Sequence, residues 1–252
     1  MSADIVTLEN ARLRLRVVPS NGGAVLDLVT HSGQVILEAP GGPHGPPQGL
    51  GCFPMTPFCG RLPGGLVEAG QGSTIVLDPN LAQGGVAHGV GWLRPWRVLS
   101  QTSSAVVLGF DHVASRAVWP WRFECRQLIR LRGNTAAITL RTRNLDETSM
   151  PCASGLHPYL AVSAGDALVL DATPLADPQP GEGVLAEGRC LRLGRDGHEV
   201  RLQSSAGPWM VYRPADRAAV CLEPHRGGFD QAPEIALEPG AEQMISVQIA
   251  VG

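Results

Sequence analysis

The chain has 252 residues and a formal charge of −3, and all 20 of its basic residues are arginine. Without a lysine there is no Schiff-base aldolase or decarboxylase chemistry, no pyridoxal-phosphate anchor and no Walker A loop, because each needs that amine. The slight negative charge also argues against a nucleic-acid partner.

The 31 glycines and 21 prolines make up about a fifth of the chain, against a usual share of ~12%, which predicts many turns and few long helices. The length suits one large all-β domain or two small ones. No run approaches the ~20 apolar residues of a membrane span. Met1-Ser2-Ala3-Asp4 lacks the basic and then apolar regions of a signal peptide. The expectation is a cytoplasmic protein with no membrane contact. Its six cysteines show no CxxC spacing and read as reduced, mostly buried thiols.

In chain order, a Pro/Gly-dense stretch over 40–51 reads as a rim loop. It leads into Phe53-Pro54-Met55-Thr56-Pro57-Phe58-Cys59-Gly60-Arg61-Leu62, where prolines and a glycine fix the backbone around Arg61. Such an arginine can present its planar fork to hydroxyls or a carboxylate, or form a surface ion pair. Ala87-His88-Gly89-Val90-Gly91-Trp92-Leu93-Arg94-Pro95-Trp96 combines a histidine with two tryptophans. Aromatic faces stack on the apolar face of a pyranose while histidine bonds its hydroxyls, although a packed loop would read the same way.

Residues 123–131 and 136–140 have a period of two, and shorter apolar or alternating runs follow at 166–170, 199–202, 209–213, 219–222 and 244–251. Short strands separated by turn signals predict an all-β sandwich or barrel, taken here as one domain over 1–252. Pro158 holds His157 in an extended conformation within Ser154-Gly155-Leu156-His157-Pro158-Tyr159, and histidine suits general acid work near neutral pH. The stretch 174–188 reads as an exposed loop. In Val220-Cys221-Leu222-Glu223-Pro224-His225-Arg226, Glu223 ends an apolar run, where desolvation can raise a carboxylate's pKa toward that of a base.

Rival chemistries find less support. GxSxG and HExxH are both absent. Glu223 and His225, at i and i+2, could share a face as metal ligands, but no further spaced set joins them. Cys59 or Cys152 could pair with His157 as a nucleophile, yet each reads more simply as a small buried hydrophobe. A glycosidase would need two carboxylates, and only Glu223 stands in a site-like context.

Taken together and in order, these segments resemble the aldose 1-epimerase (galactose mutarotase) family. The family's Pro-aromatic-x-Asn-Arg-Ile element is similar to Pro57-Phe58-Cys59-Gly60-Arg61-Leu62, and its His-Gly…Pro-Trp element to His88-Gly89 with Pro95-Trp96. Trp119-Pro120-Trp121-Arg122-Phe123, the Asn144 to Pro151 step, Gly155-Leu156-His157-Pro158-Tyr159-Leu160, and Glu223-Pro224 followed by Leu237-Glu238-Pro239-Gly240 complete the resemblance. It implies a large antiparallel β-sandwich of the galactose mutarotase type and an isomerase with no cofactor and no metal. Its partner would be a small-molecule sugar, and the chain a monomer or homodimer.

Carried over residue by residue, the resemblance makes Glu223 the general base and His157 the general acid, with Arg61 and His88 holding the sugar; Trp92, from the reading of its own segment, is expected to bind the sugar as a stacking face. Three departures stand out: Gly60 replaces the family's Asn, Leu160 replaces a Phe, and the sugar-binding Asp has no aligned counterpart, with Asp171 and Asp177 as candidates. A hexose-6-phosphate 1-epimerase using Arg94, Arg97 or Arg226, and a non-catalytic sugar-binding module, are the alternative readings.

Overall fold

The computed structural model describes residues 4–68, 73–163, 165–176, 178–195, 198–227 and 236–252. Strands hold 55% of the chain and helix only 4%, as the glycine and proline content and the period of two predict. The longest hairpin shows the local logic. In Phe123–Arg132 the odd residues Phe123, Cys125, Ile129 and Leu131 are buried while their neighbours face outward. The two-residue loop Gly133-Asn134 returns the chain antiparallel as Thr135–Asn144. Gly133 has φ 57°, which a primed hairpin turn requires.

Two nine-stranded antiparallel sheets dominate. One begins Val6–Glu9, Leu13–Val18, Ala24–Thr30 and Val35–Leu37, and continues through Gly155–Ala161, Ala219–Pro224, Trp209–Tyr212 and Gly183–Ala186; Cys52–Met55 pairs with Gly155–Ala161 and Ala24–Thr30. The other contains Arg97–Gln101, Ala105–His112, Phe123–Arg132, Thr135–Asn144, Glu242–Val251, His198–Ser204, Cys190–Arg195, Ala167–Leu170 and Thr173–Leu175, in that spatial order.

The main core lies between the sheets. Leu8, Leu15, Leu28, Leu156 and Leu222 of the first share one buried cluster with Leu108, Ile138, Leu202, Ile245 and Val247 of the second. This is the sandwich that the alternating pattern implies.

A smaller cluster lies on the opposite face of the first sheet and includes Leu26, Phe53, Met55, Trp92, Tyr159 and Cys221. Gly155–Ala161 and Ala219–Pro224 are therefore buried on both faces, with every residue enclosed. The stretch 174–188 is not a plain loop as expected. It contributes the edge strands Thr173–Leu175 and Gly183–Ala186, whose backbones pair despite the nearby prolines. All six cysteines are unbridged, five of them buried. Among the described residues no helix is long and apolar enough to cross a membrane.

Candidate active site

The two doubly buried strands set the site. Because side chains alternate along a strand, Leu156 and Leu160 enter the main core while His157 and Tyr159 face away from it; likewise Leu222 enters the core while Cys221 and Glu223 face away. His157 Nε2 lies 3.2 Å from Glu223 Oε1, and His225 Nε2 lies 3.2 Å from Glu223 Oε2. The carboxylate is thus gripped on both oxygens, and all three side chains are buried.

His157 packs against two neighbouring rings, Phe53 at 4.5 Å and Tyr159 at 4.6 Å between centroids. The ring of His88 meets it edge-on at 5.3 Å. Phe53, His88, His157, Glu223 and Arg61 all open onto a cavity of about 1080 Å³, lined also by Pro40, Pro46 and Gln48 from the expected rim loop.

Burial sets the protonation states. It pushes the Glu223 carboxyl up, against the pull of His225 and Arg61 toward the charged form. It pushes His157 well below the ordinary imidazole range, with His88 and His225 adding repulsion, and it takes His88 down to about 3. His225 behaves oppositely. Burial opposes its charge, but the Cys59 sulfur and the Glu223 carboxylate together raise it to about 10. The site thus holds an imidazole that favours its charge behind the carboxylate and two in front of it whose charge burial opposes.

Loop geometry fixes these groups. Arg61 sits on Arg61–Leu62, paired with Val86–Ala87, which places His88 one residue beyond Arg61's partner. His88 takes φ 61°, an uncommon conformation for a side-chain-bearing residue. It is held there because its N–H donates to Gly60 O at 2.9 Å, while the Asn80 side chain bonds Ala87 and Gly89 through three contacts of 2.8–3.0 Å. Gly60 itself has φ 69°. Asn and Gly are the residues that tolerate this region, so the Asn-to-Gly departure keeps the backbone and removes only a side chain.

Behind Glu223, His225 N donates to Pro208 O at 2.9 Å and Arg226 N to Ser154 O at 3.1 Å. The Gln243 side chain clamps Ser154 N and Cys152 O at 2.8 and 3.0 Å. Gly155 leaves no room for a side chain: a Cβ there would lie 2.7–3.0 Å from Met55, Cys59 and the Pro224 carbonyl.

Other expected residues fall elsewhere. Trp92 is a correction: its ring is 1% exposed, it donates to the Ala87 and Gly89 carbonyls, and it packs behind Phe53 at 5.5 Å rather than on the cavity wall. Asp171 closes a turn by accepting from Arg189 N and Cys190 N, each at 2.9 Å, and Asp177 lies outside the described residues. Among the described residues the acid that lines the cavity besides Glu223 is Asp216, which no motif marked. Arg97 pairs with Asp111 and Arg226 donates to Met244 O, while Arg94 lines a separate small hollow.

Phe53, Asn80 and Arg217 carry no motif signal of their own, and His225 was marked only as a possible metal ligand beside Glu223. Arg217 lies over the Tyr159 ring at 3.9 Å and bonds Glu38 and Gln48, tying down the rim loop. Its one sequence trace is its place among polar residues just before the glutamate strand.

For a metal, His157, Cys221 and Glu223 offer ligand atoms within 4.8 Å of one another. Burial holds the Cys221 thiol well above its ordinary range, so a soft cation would have to displace that proton.

Residues 4–177 match the family model described as aldose 1-epimerase. That span carries Arg61, His88 and His157; Glu223 lies beyond it. Over 160 residues the chain is 29% identical to the uncharacterized protein YphB of Escherichia coli K12, a match taking in 63% of this chain and 52% of that protein. The chain therefore spans about half the length of the curated relative it matches.

Among solved structures, a candidate aldose 1-epimerase of Escherichia coli K12 superposes with a TM-score of 0.86 at 22% identity, covering 98% of both chains. The Slr1438 protein of Synechocystis sp. PCC 6803 gives 0.81 at 21%, covering 100% of this chain and 96% of that one. Galactose 1-epimerase of Lactobacillus acidophilus NCFM gives 0.78 at 12%, covering 98% and 94%. These likenesses establish the galactose mutarotase-like sandwich, and the family model, matching well over half of the residues, establishes membership: the chain belongs to the aldose 1-epimerase family.

Proposed function

We propose that the protein interconverts the α and β anomers of a free aldose by opening and reclosing the hemiacetal ring. The observation that carries this reading is the 3.2 Å contact between Glu223 and His157 at the floor of an open cavity. Opening the ring removes a proton from the anomeric hydroxyl and delivers one to the ring oxygen. Glu223 takes the first and His157 gives the second; after rotation about C1–C2 the roles reverse and the ring closes on the other face.

The pair carries one transferable proton throughout: with the ring closed His157 is an imidazolium beside the Glu223 carboxylate, and with it open His157 is a neutral imidazole beside a protonated Glu223. Burial favours the neutral pair and His225 favours the carboxylate, so opposing influences act on where the proton rests. Each transfer is typically worth ~10²- to 10⁴-fold. His88 stays neutral and both donates and accepts, which suits sugar hydroxyls, and Arg61 supplies further donors.

Among the described cavity residues the cations are Arg61 and Arg217, and Arg217 is paired with Glu38. That favours a neutral aldose over a sugar phosphate. The test is the rate at which pure α-D-glucose, α-D-galactose and glucose 6-phosphate reach anomeric equilibrium, followed by polarimetry or NMR. Acceleration of a neutral sugar supports the reading. Saturable sugar binding without acceleration would replace it with a non-catalytic binding module.

A further inference from the structure

The rim loop has no core of its own. It joins the strands Val35–Leu37 and Cys52–Met55, and none of the residues 38–49 is fully buried. Pro40, Pro46 and Gln48 nonetheless line the cavity, so their place there depends on the polar contacts that tie the loop down. The two ends of the loop meet on one residue. Glu38 N donates to Tyr159 O at 3.4 Å, and Tyr159 N donates to Gly51 O at 2.8 Å.

Arg217 closes the same stem. It lies on the segment between Trp209–Tyr212 and Ala219–Pro224, and its side chain is only 8% exposed. Its guanidinium donates from Nε to the Glu38 carboxylate at 3.2 Å, from Nη2 to Glu38 O at 2.9 Å and from Nη1 to Gln48 O at 2.9 Å. These bonds span both limbs of the loop, which a planar fork can do and a point charge cannot. The same group sits 3.9 Å from the centroid of the Tyr159 ring, and that ring packs against His157 at 4.6 Å. One buried cation therefore touches both the loop that lines the cavity and the ring beside the proposed acid.

We propose that Arg217 is a positioning residue for the reaction: through Glu38 and Gln48 it holds the rim loop against the cavity, and through the Tyr159 ring it holds His157 beside Glu223. The inference rests on the anomerisation reading. Arg217 acts through these neighbours, since its donors are committed to the loop. The two ties separate kinetically. What the loop contributes to sugar binding is present before and during the chemical step, so loosening the loop raises KM. The direction of the His157 ring matters only when its proton moves, so disturbing Tyr159 lowers kcat.

The experiment measures kcat and KM for anomerisation of α-D-glucose in the wild type, Arg217→Met, Arg217→Lys and Glu38→Ala. Alongside, it follows hydrogen exchange at the amides of Gly42, Gly45 and Gly49, each of which donates within the loop. Arg217→Met cuts both ties, so KM should rise about ten-fold and kcat fall by about ten-fold or more. Arg217→Lys keeps a cation on the Tyr159 ring but cannot bond both limbs, so it should restore kcat and leave KM raised. Glu38→Ala cuts one loop tie and spares the ring, so it should raise KM alone; it reports even if Arg217→Met folds poorly. Any pattern in Arg217→Lys other than recovery of kcat alone, or a fall in kcat in Glu38→Ala, overturns the proposal. Loop exchange should quicken in all three variants while exchange in Phe123–Arg132 stays as in the wild type; unchanged loop exchange overturns the clamp. Wild-type protein that leaves glucose at its spontaneous rate rejects the anomerisation reading and the role of Arg217 in the reaction, and the exchange rates still decide the clamp.

Discussion

Glu223→Gln tests the proposed chemistry most directly. The amide matches the carboxylate in size, so the packing around a fully enclosed strand end is retained. Its oxygen can still accept from His225, but its NH₂ would then face His157 Nε2 across the 3.2 Å gap. To accept that hydrogen bond, His157 must give up its Nε2 proton and keep only the one on Nδ1, away from the sugar. One substitution therefore removes the base and turns the acid's proton out of the site.

General base loss alone costs ~10²- to 10⁴-fold; with the acid's Nε2 proton lost as well, the fall in kcat should lie toward the upper end, about 5 kcal/mol at ~1.4 kcal/mol per decade. His225 loses the carboxylate that helps keep it charged and can shed its proton, so no buried charge is stranded. Tm should move by no more than about 4 °C, which corresponds to ~1 kcal/mol in a chain of this size. The assay is polarimetric equilibration of α-D-glucose, with circular dichroism and sugar binding as controls. A folded, sugar-binding variant that retains more than about a tenth of wild-type kcat would refute the assignment of the base.

Replacing His225 with Gln removes the cation that favours the Glu223 carboxylate, so the acidic limb of the kcat/KM profile should move to higher pH; an unmoved limb would show that His225 serves packing alone. Stability should fall on both sides of neutrality. His88, lowered to about 3, loses its contribution as pH drops from about 6.5 toward 3, because only the unfolded chain takes up that proton. His225, raised to about 10, contributes fully below about 6.5 and loses its contribution as pH climbs toward 10. Thermal melts from pH 4 to 10 should show the dome, and His225→Gln should flatten its alkaline side. Gly155→Ala forces a methyl against the Pro224 carbonyl; overpacking of this kind costs about 1–3 kcal/mol, and activity should fall further than stability because Glu223 is adjacent. Asn80→Ala removes three hydrogen bonds from the His88 loop and should raise KM for the sugar more than it lowers kcat, which initial-rate kinetics would show.

Within the second sheet Phe123–Arg132, Thr135–Asn144, Ala167–Leu170, His198–Ser204 and Glu242–Val251 were legible because each alternates between core and outer face: the alternation at Phe123–Arg132 is a direct print of burial. Gly155–Ala161 and Ala219–Pro224 are enclosed on both faces, so they carry no alternation, and only the odd polar residue in each marked a site. Arg61, His88, His157 and Glu223 were recognisable by context, and the fold brings all four to one cavity. Trp92 misled because an aromatic beside a histidine is equally consistent with stacking on a ligand and packing behind one; exposure decides, and a sequence does not display it. Asp216 and Arg217 were invisible because their roles arise from strands that meet only after folding.

The strand Glu242–Val251 lies in the middle of its sheet, bonded to Thr135–Asn144 on one side and His198–Ser204 on the other. Its neighbours on both sides are complete in the nascent chain long before it is, and until it inserts they present two raw edges, the kind of surface that templates aggregation. Pairings so distant along the chain close slowly. The hazard of biosynthesis therefore persists until residue 251 has been made. A nonsense mutation just before residue 242 would leave a divided sheet rather than a trimmed enzyme, and crowding or chaperone supply at that moment would govern yield more than the final stability does.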